Sequence, residues 1–166
     1  MKWILETERL KLREFELDDA VKMWELNEGI DVIKYTGDPA FDSIEAARQF
    51  IEAYDHYEKE GFGRWAVILK TSGEFIGWCG LKRHEGGMVD IGFRFFKRDW
   101  GKGYATESAK ACLSYGFTKL GMNEIIGRAA KANVASVRVL EKIGMQYWKE
   151  DGCEGIEGAE WWRLSN

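Results

Sequence analysis

Cysteine, histidine and proline are scarce in this chain of 166 residues, which holds 3 cysteines, 2 histidines and 1 proline. Cys79, Cys112 and Cys153 are odd in number, scattered and free of any CxxC spacing. With only His56 and His84 to join them, neither a disulfide framework nor a zinc site is expected, and the thiols read as small buried residues. No apolar run reaches the ~18 residues of a membrane-spanning helix, and "MKWILETERLKLREF" is too charged for a secretory leader. The expectation is a cytoplasmic protein with no membrane partner. Excess positive charge is missing too: the net charge is -4, which argues against nucleic acid as a partner. An anion would have to be held by a local arrangement.

Aromatic residues, by contrast, are plentiful, with 8 tryptophans. They read either as large core and edge side chains or as the lining of a substrate cleft, to which Trp3, Trp24 and Trp65 could contribute. Repeats, low-complexity tracts and linkers are absent, so residues 1–166 are expected to form a single domain. Pro39 sits in the polar stretch "YTGDPAFDS" between two helical patterns.

"ERLKLREF" alternates Leu10 and Leu12 with charged neighbours and predicts a strand. "LDDAVKMWELNE" predicts a helix, with Leu17, Val21 and Trp24 on one stripe. "DSIEAARQFIEAYDHYEKEG" predicts a longer helix that Asp42 or Ser43 caps and Gly61 ends, with Ile44, Ala47, Phe50, Ile51, Tyr54 and Tyr57 on one face. Three strands follow, "GRWAVILK", "FIGWCGLKR" and "MVDIGFRFF", joined by the turn signals "TSGE" and "HEGG". Helix "YATESAKACLSYGFTKLG", strand "NEIIGRAA", helix "NVASVRVLEKIG" and closing strands "MQYWKED" and "AEWWRLSN" complete the order. The hairpins should be antiparallel and the strands flanking the "YATES" helix parallel, giving a mixed α+β sheet rather than a doubly wound one.

Between "MVDIGFRFF" and that helix lies "KRDWGKG". The first amide groups of a helix have no intrahelical acceptor, and its dipole adds about half a positive charge there. Gly101 and Gly103 would let the backbone curl so that several amides converge on an anion, with Lys97, Arg98 and Lys102 adding charge. The alternative is a tight turn that needs glycine geometry and binds nothing. The Walker spacing GxxxxGK[ST] is absent, and Thr106 stands where GxGxxG needs its third glycine, so a nucleotide-binding enzyme is disfavoured.

Arg98-x-x-Gly101-x-Gly103-Tyr104-Ala105 resembles the R/Q-x-x-G-x-G/A signature of the GNAT superfamily of acetyltransferases. "WGKGYATES", "NVASVRVLEKIGM" and "ETERLKLREFELDDA" are similar to the branch containing ribosomal-protein alanine N-acetyltransferases. The resemblance implies a GNAT fold over residues 1–166, with a mostly antiparallel sheet, helices on both faces and a splayed parallel strand pair holding the coenzyme. It implies an N-acetyltransferase moving an acetyl group from acetyl-coenzyme A to a primary amine, on a protein N-terminus or a small molecule, without a metal. A coenzyme A-binding module without catalysis is the alternative, and a homodimer is compatible with the branch. The pyrophosphate would sit on amides from Arg98 to Ala105, in a site bounded by Phe96, Trp100, Lys102 and Thr106. A bulge in "MVDIGFRFF" would free an amide near Phe93, Arg94 or Phe95 for the thioester oxygen.

Attack on a thioester needs a neutral amine, an oxyanion donor and a proton for the leaving thiolate. Deprotonating an α-amine of pKa near 8 costs about 1 kcal/mol at pH 7, and a lysine amine roughly 4.6. Asp90, before "IGF", stands where similar enzymes carry a glutamate facing the acceptor, which makes it the candidate base, directly or through water; otherwise it is a solvated strand carboxylate. Ser136 matches the branch's motif serine, a proton donor to the coenzyme thiolate, or else bonds locally in the first helical turn. Asn133 divides between helix cap and coenzyme ligand. Tyr147 is a weaker candidate acid, expected to pack in the closing sheet. His56 and His84 read as surface or hairpin residues, and Glu107 as a solvated or a first-turn, dipole-complementing acid rather than a base.

Overall fold

The computed structural model describes residues 2–153 and 155–166. Among these, eight strands form one sheet in the order β1-β2-β3-β4-β5-β6-β8-β7. Strand β1 (Trp3–Glu6) pairs with β2 (Leu10–Arg13), and β3 (Arg64–Leu69), β4 (Phe75–Arg83) and β5 (Val89–Phe95) continue antiparallel. Strand β6 (Glu124–Ala130) lies parallel to β5, and β7 (Gln146–Cys153) and β8 (Ile156–Ser165) close the sheet antiparallel. The helices are α1 (Ala20–Glu28), α2 (Ile30–Ile33), α3 (Ile44–Glu52), α4 (His56–Glu60), α5 (Tyr104–Thr118) and α6 (Val134–Lys142).

Alternation along β3 shows how the two faces are covered. Trp65 and Val67 join a buried cluster with Ala109, Cys112 and Leu113 of α5, while Ala66 and Ile68 join one with Met23 of α1 and Ala47 of α3. The sheet is therefore sandwiched by helices, as expected. Trp65 is buried and meets Tyr115 edge-on at 5.5 Å; it is a core residue, not part of a cleft. Trp3 is an edge residue under the Lys11 ammonium (4.2 Å), and Trp24 packs against the α1–α3 core.

Two elements depart from the sequence reading. The opening strand is a hairpin, because Thr7 turns the chain by bonding to both the carbonyl (2.8 Å from its own N–H) and the amide (3.1 Å) of Leu10. The long second helix breaks into α3 and α4. Strand β2 ends opposite Ala66, so Arg64 projects beyond it with backbone groups needing partners. The break lets Tyr54 accept the Arg64 N–H (2.7 Å) and Tyr57 donate to the Arg64 carbonyl. Ser43 caps α3 as expected, accepting the Ala46 N–H at 3.0 Å. Phe50 stays partly exposed, because Ala47 and Ile51 alone carry the buried stripe.

The parallel pair fixes the site. β5 and β6 are in register only at Asp90–Ile126 and Ile91–Gly127. Beyond Ile91 and Gly127 they diverge, and β8 continues to pair with β6 as far as Ala130.

Candidate active site

The loop after β5 makes a 3-10 turn over Lys97–Asp99, then enters α5 through Gly101 (φ 74°) and Gly103 (φ 84°). Both glycines hold left-handed backbone, which a side chain would strain. The first helical bond runs from the Glu107 N–H to the Gly103 carbonyl at 3.0 Å, and no side chain caps the helix. The amides of Tyr104, Ala105 and Thr106 precede that bond and head the helix, in the arrangement that binds phosphate. Trp100 donates its indole N–H to the Phe95 carbonyl at 2.9 Å.

The cations around the loop are largely committed. Arg98 bonds Glu74 (2.7 Å) and lies over the Phe96 ring (4.3 Å), and Lys97 bonds Asp31 (2.6 Å). Buried Asp99 draws Lys102 (3.6 Å) and Arg98 (3.7 Å) toward itself. Glu107 is not solvated. Its carboxylate takes Thr7 (2.6 Å) and the side chain (2.7 Å) and amide (3.0 Å) of Arg9, tying the β1–β2 hairpin to α5. Burial would raise its pKa, but these bonds lower it on balance.

The β4–β5 register is continuous from Gly77–Phe95 to Arg83–Val89. The expected bulge in β5 is therefore absent; the irregularity lies one pair away, between Val67 and Ile68 of β3. A donor arises differently. The Phe96 N–H points to the Ile76 carbonyl of β4 (3.2 Å), so alternation turns the amides of Phe95 and Phe93 away from β4, toward the gap β6 has left.

A cavity of about 580 Å³ occupies that gap and the loop. Phe93, Arg94, Phe95, Trp100, Gly101 and Gly103 border it, followed by Tyr104, Ala105, Thr106, Asn133 and Ser136. Phe96, Arg98 and Lys102 do not. Phe96 is buried against the α1–α3 core, and the two cations are drawn toward Asp99. A second cavity, of about 640 Å³, opens on the α1–α4 side of the sheet. Phe93, Arg94, Asn133 and Ser136 border both, as do Tyr35 and Thr36. The Arg94 side chain reaches toward the second cavity, bonding Asn27 (3.0 Å) and Asp38 (2.7 Å). Asn133 caps α6, accepting the Ser136 N–H at 3.3 Å, so the capping role is present and the residue still borders both cavities.

Asp90 lines the second cavity and is buried, not solvated. Arg64 reaches one carboxylate oxygen (2.8 Å), and Arg128 and His84 Nε2 both stand 3.1 Å from the other. Gly92 makes room for this, since a β-carbon there would lie 2.6 Å from the Arg64 guanidinium carbon. Burial by itself would raise the Asp90 pKa. The charge of Arg64, with His84 and Arg128, instead pulls it well below the usual carboxylate range. A carboxylate so held is a poor proton acceptor. His84 is a hairpin residue as expected, but its ring turns inward to this cluster. His56 is half-buried beside the second cavity, stacked on Tyr54 at 4.9 Å. Tyr147 is exposed, edge-on to Trp162, and borders neither cavity. Cys79 and Cys112 are core residues, 3.8 Å apart between their sulfurs.

Arg64, Arg128 and Trp78 escaped the sequence reading. The only signal was an arginine inside an otherwise apolar strand pattern, in "GRWAVIL" and "IIGRAA". Among the described residues no cluster of potential metal ligands occurs, and no helix is long and apolar enough to cross a membrane.

Comparison with known proteins bears on this geometry. The model of the acetyltransferase (GNAT) domain family matches residues 9–146. An uncharacterized N-acetyltransferase, p20, of Bacillus licheniformis is 34% identical over 145 residues, covering 86% of this chain and 82% of its own. A GNAT-family acetyltransferase from Bacillus anthracis superposes with a TM-score of 0.82 at 31% identity, over 98% of both chains. The ribosomal-protein-S5-alanine acetyltransferase of Vibrio fischeri shares the fold (TM-score 0.81) at 16% identity, over 98% of this chain and 96% of its own. The chain belongs to the GNAT acetyltransferase family, whose members are acetyl-coenzyme A-dependent acyltransferases.

Proposed function

We propose that the protein transfers an acetyl group from acetyl-coenzyme A to a primary amine by direct attack where the two cavities meet. One observation carries this: Phe93 and Ser136 border both the slot that ends in the glycine loop and the cleft on the other side. The pyrophosphate is held by the amides of Gly103 to Thr106, and the pantetheine arm lies between the divergent ends of β5 and β6. The amine enters from the cleft. Its nitrogen bonds to the thioester carbonyl carbon as the Phe93 amide steadies the developing oxyanion. The carbon–sulfur bond then breaks; Ser136 passes its hydroxyl proton to the leaving thiolate and regains one, through water, from the nitrogen that becomes the amide.

Asp90 takes a different part from the one its sequence position suggests. Held by Arg64 and Arg128, it fixes the cleft floor instead of accepting the amine's proton. The amine then reacts as the neutral fraction present in water, which suits acceptors of low pKa. The test incubates the protein with acetyl-coenzyme A and a panel of amines while free thiol is followed. Turnover per amine should rise with pH toward that amine's own pKa. Ser136→Ala should lower kcat by about 10²-fold with little change in coenzyme affinity. Coenzyme binding without turnover of any amine, together with an unaffected Ser136→Ala variant, would leave a binding module in place of an enzyme.

A further inference from the structure

The wall of the acceptor cleft narrows what can enter it. Phe41, Phe50 and Tyr54 stand in a row along it, with ring centroids 5.6 and 5.8 Å apart, and Phe15 meets Tyr54 edge-on at 5.5 Å. These rings come from the segment after β2, the loop before α3, α3 itself and the turn after it, so the fold gathers them from separate segments. Tyr54 is fixed, because its hydroxyl accepts the Arg64 N–H at 2.7 Å. Burial holds its phenol above the ordinary range, so it presents a neutral ring. Phe50 is 42% exposed at the rim, an apolar ring that the α3 core leaves uncovered.

The charges in the same cleft agree. Among the described residues lining it, the carboxylates are Asp38, Asp55 and Asp90. Each already has a cation: Arg94 at 2.7 Å, Lys59 at 2.5 Å and Arg64 at 2.8 Å. The Trp78 ring, the best kind of aromatic face for an ammonium, has the guanidinium groups of Arg94 and Arg64 at 5.2 and 5.4 Å. A second ammonium on the acceptor would have to compete with these cations for a carboxylate and would face Arg64, Lys82 and Arg94.

We infer that the acceptor is an amine joined to one flat aromatic body and bearing no second positive charge. The ring lies along Phe41, Phe50 and Tyr54, and the amine reaches toward Phe93 and Ser136. This rests on the acetyl-transfer reading of the site. A polyamine is the class the cleft rejects, and an aliphatic monoamine gains less because stacking is lost.

Tryptamine, hexylamine and spermidine separate these classes, since the first two share a primary aliphatic ammonium and differ in body, and the third adds charge. With acetyl-coenzyme A saturating, kcat/KM for tryptamine should exceed that for hexylamine by about tenfold, with spermidine last. Phe50→Ala should remove most of the tryptamine advantage while reducing hexylamine turnover far less. Equal or better use of hexylamine or spermidine, or a Phe50→Ala loss shared evenly by all three, overturns the inference. Should neither these amines at about pH 9, where each has an appreciable neutral fraction, nor the wider panel be turned over, acetyl transfer itself is refuted. The ring preference is then read from calorimetric titration of the same amines into coenzyme A-loaded protein, where tryptamine binding no tighter than hexylamine overturns it.

Discussion

The two cavities meet at Phe93 and Ser136 but are made of different material. The proposed coenzyme slot is bordered mainly by backbone: the amides heading α5, two left-handed glycines and the strand edge that β6 leaves open. Its largest share comes from one continuous stretch, β5 through the start of α5, and residues 31–36 and 132–142 complete it. The acceptor cleft is side chains, brought from α1, the loop before α3, β3, β4, β5 and β6. A backbone site is specified by where glycine is allowed, so a few neighbouring residues encode it. A side-chain site is specified by pairings between strands far apart in sequence, so its residues can change without altering the slot. The division suits a fold that keeps one co-substrate and varies the other.

The strongest way to break this contrast is at Asp90. If the cleft floor is an ion-paired frame, Asp90→Ala strands the partly buried Arg64 and the Arg128 beside it and should cost about 3 kcal/mol of unfolding free energy, measured by denaturant titration. The wild-type protein carries the same signature in acid. The folded pKa of Asp90 lies below its unfolded value, so the unfolded chain binds the proton first as pH falls. The stabilisation is full at neutral pH and declines below about pH 4, the unfolded carboxylate range. Asp90→Ala should flatten that decline. A variant as stable as wild type that has lost amine turnover would restore Asp90 to the role of a free base.

The slot should respond to its glycines. Gly103 sits at φ 84°, and a β-carbon there would approach Arg9 Nη2 to 3.2 Å. Gly103→Val must unwind the left-handed residue, which turns the neighbouring amides off a common point. Acetyl-coenzyme A should bind about 100-fold more weakly by calorimetry, while the fold, read by far-ultraviolet circular dichroism, persists. Unchanged affinity would mean that the diphosphate is held elsewhere.

The same division explains what could be read from the sequence. The bounds of β4 coincide with the string "FIGWCGLKR", and the β5–α5–β6 crossover and its glycine loop were legible because periodicity and glycine spacing are local signals. The splay is implied by family resemblance, which places the free amide at a bulge. Register between strands is a tertiary property, and the amides of Phe93 and Phe95 are freed by the loss of a neighbour, not by an extra residue. The break between α3 and α4 was hidden because helical periodicity runs straight through it; only the unpaired backbone of Arg64 calls for the two tyrosine hydroxyls. Glu107 and His84 look like surface residues from their neighbours. Their partners, Thr7 and Arg9 for one and the Asp90 cluster for the other, lie in distant segments.

The smallest expected effect sharpens the comparison most, because it separates amides from charges within the slot. Arg98 opens the motif that resembles the family signature, yet it lies outside the lining, half-exposed, bonded to Glu74 and resting on Phe96. Exposed pairs of this kind contribute about 1 kcal/mol or less. Removing the side chain also frees Glu74, whose charge then repels the coenzyme only through water and salt. Arg98→Ala should therefore weaken acetyl-coenzyme A binding by about threefold or less, and the difference from wild type should shrink as salt is raised. A loss approaching that of Gly103→Val, and persisting in salt, would mean that Arg98 leaves Glu74 to grip the diphosphate directly. The slot would then be a side-chain site after all, and the contrast between the two cavities would be one of sequence distance alone.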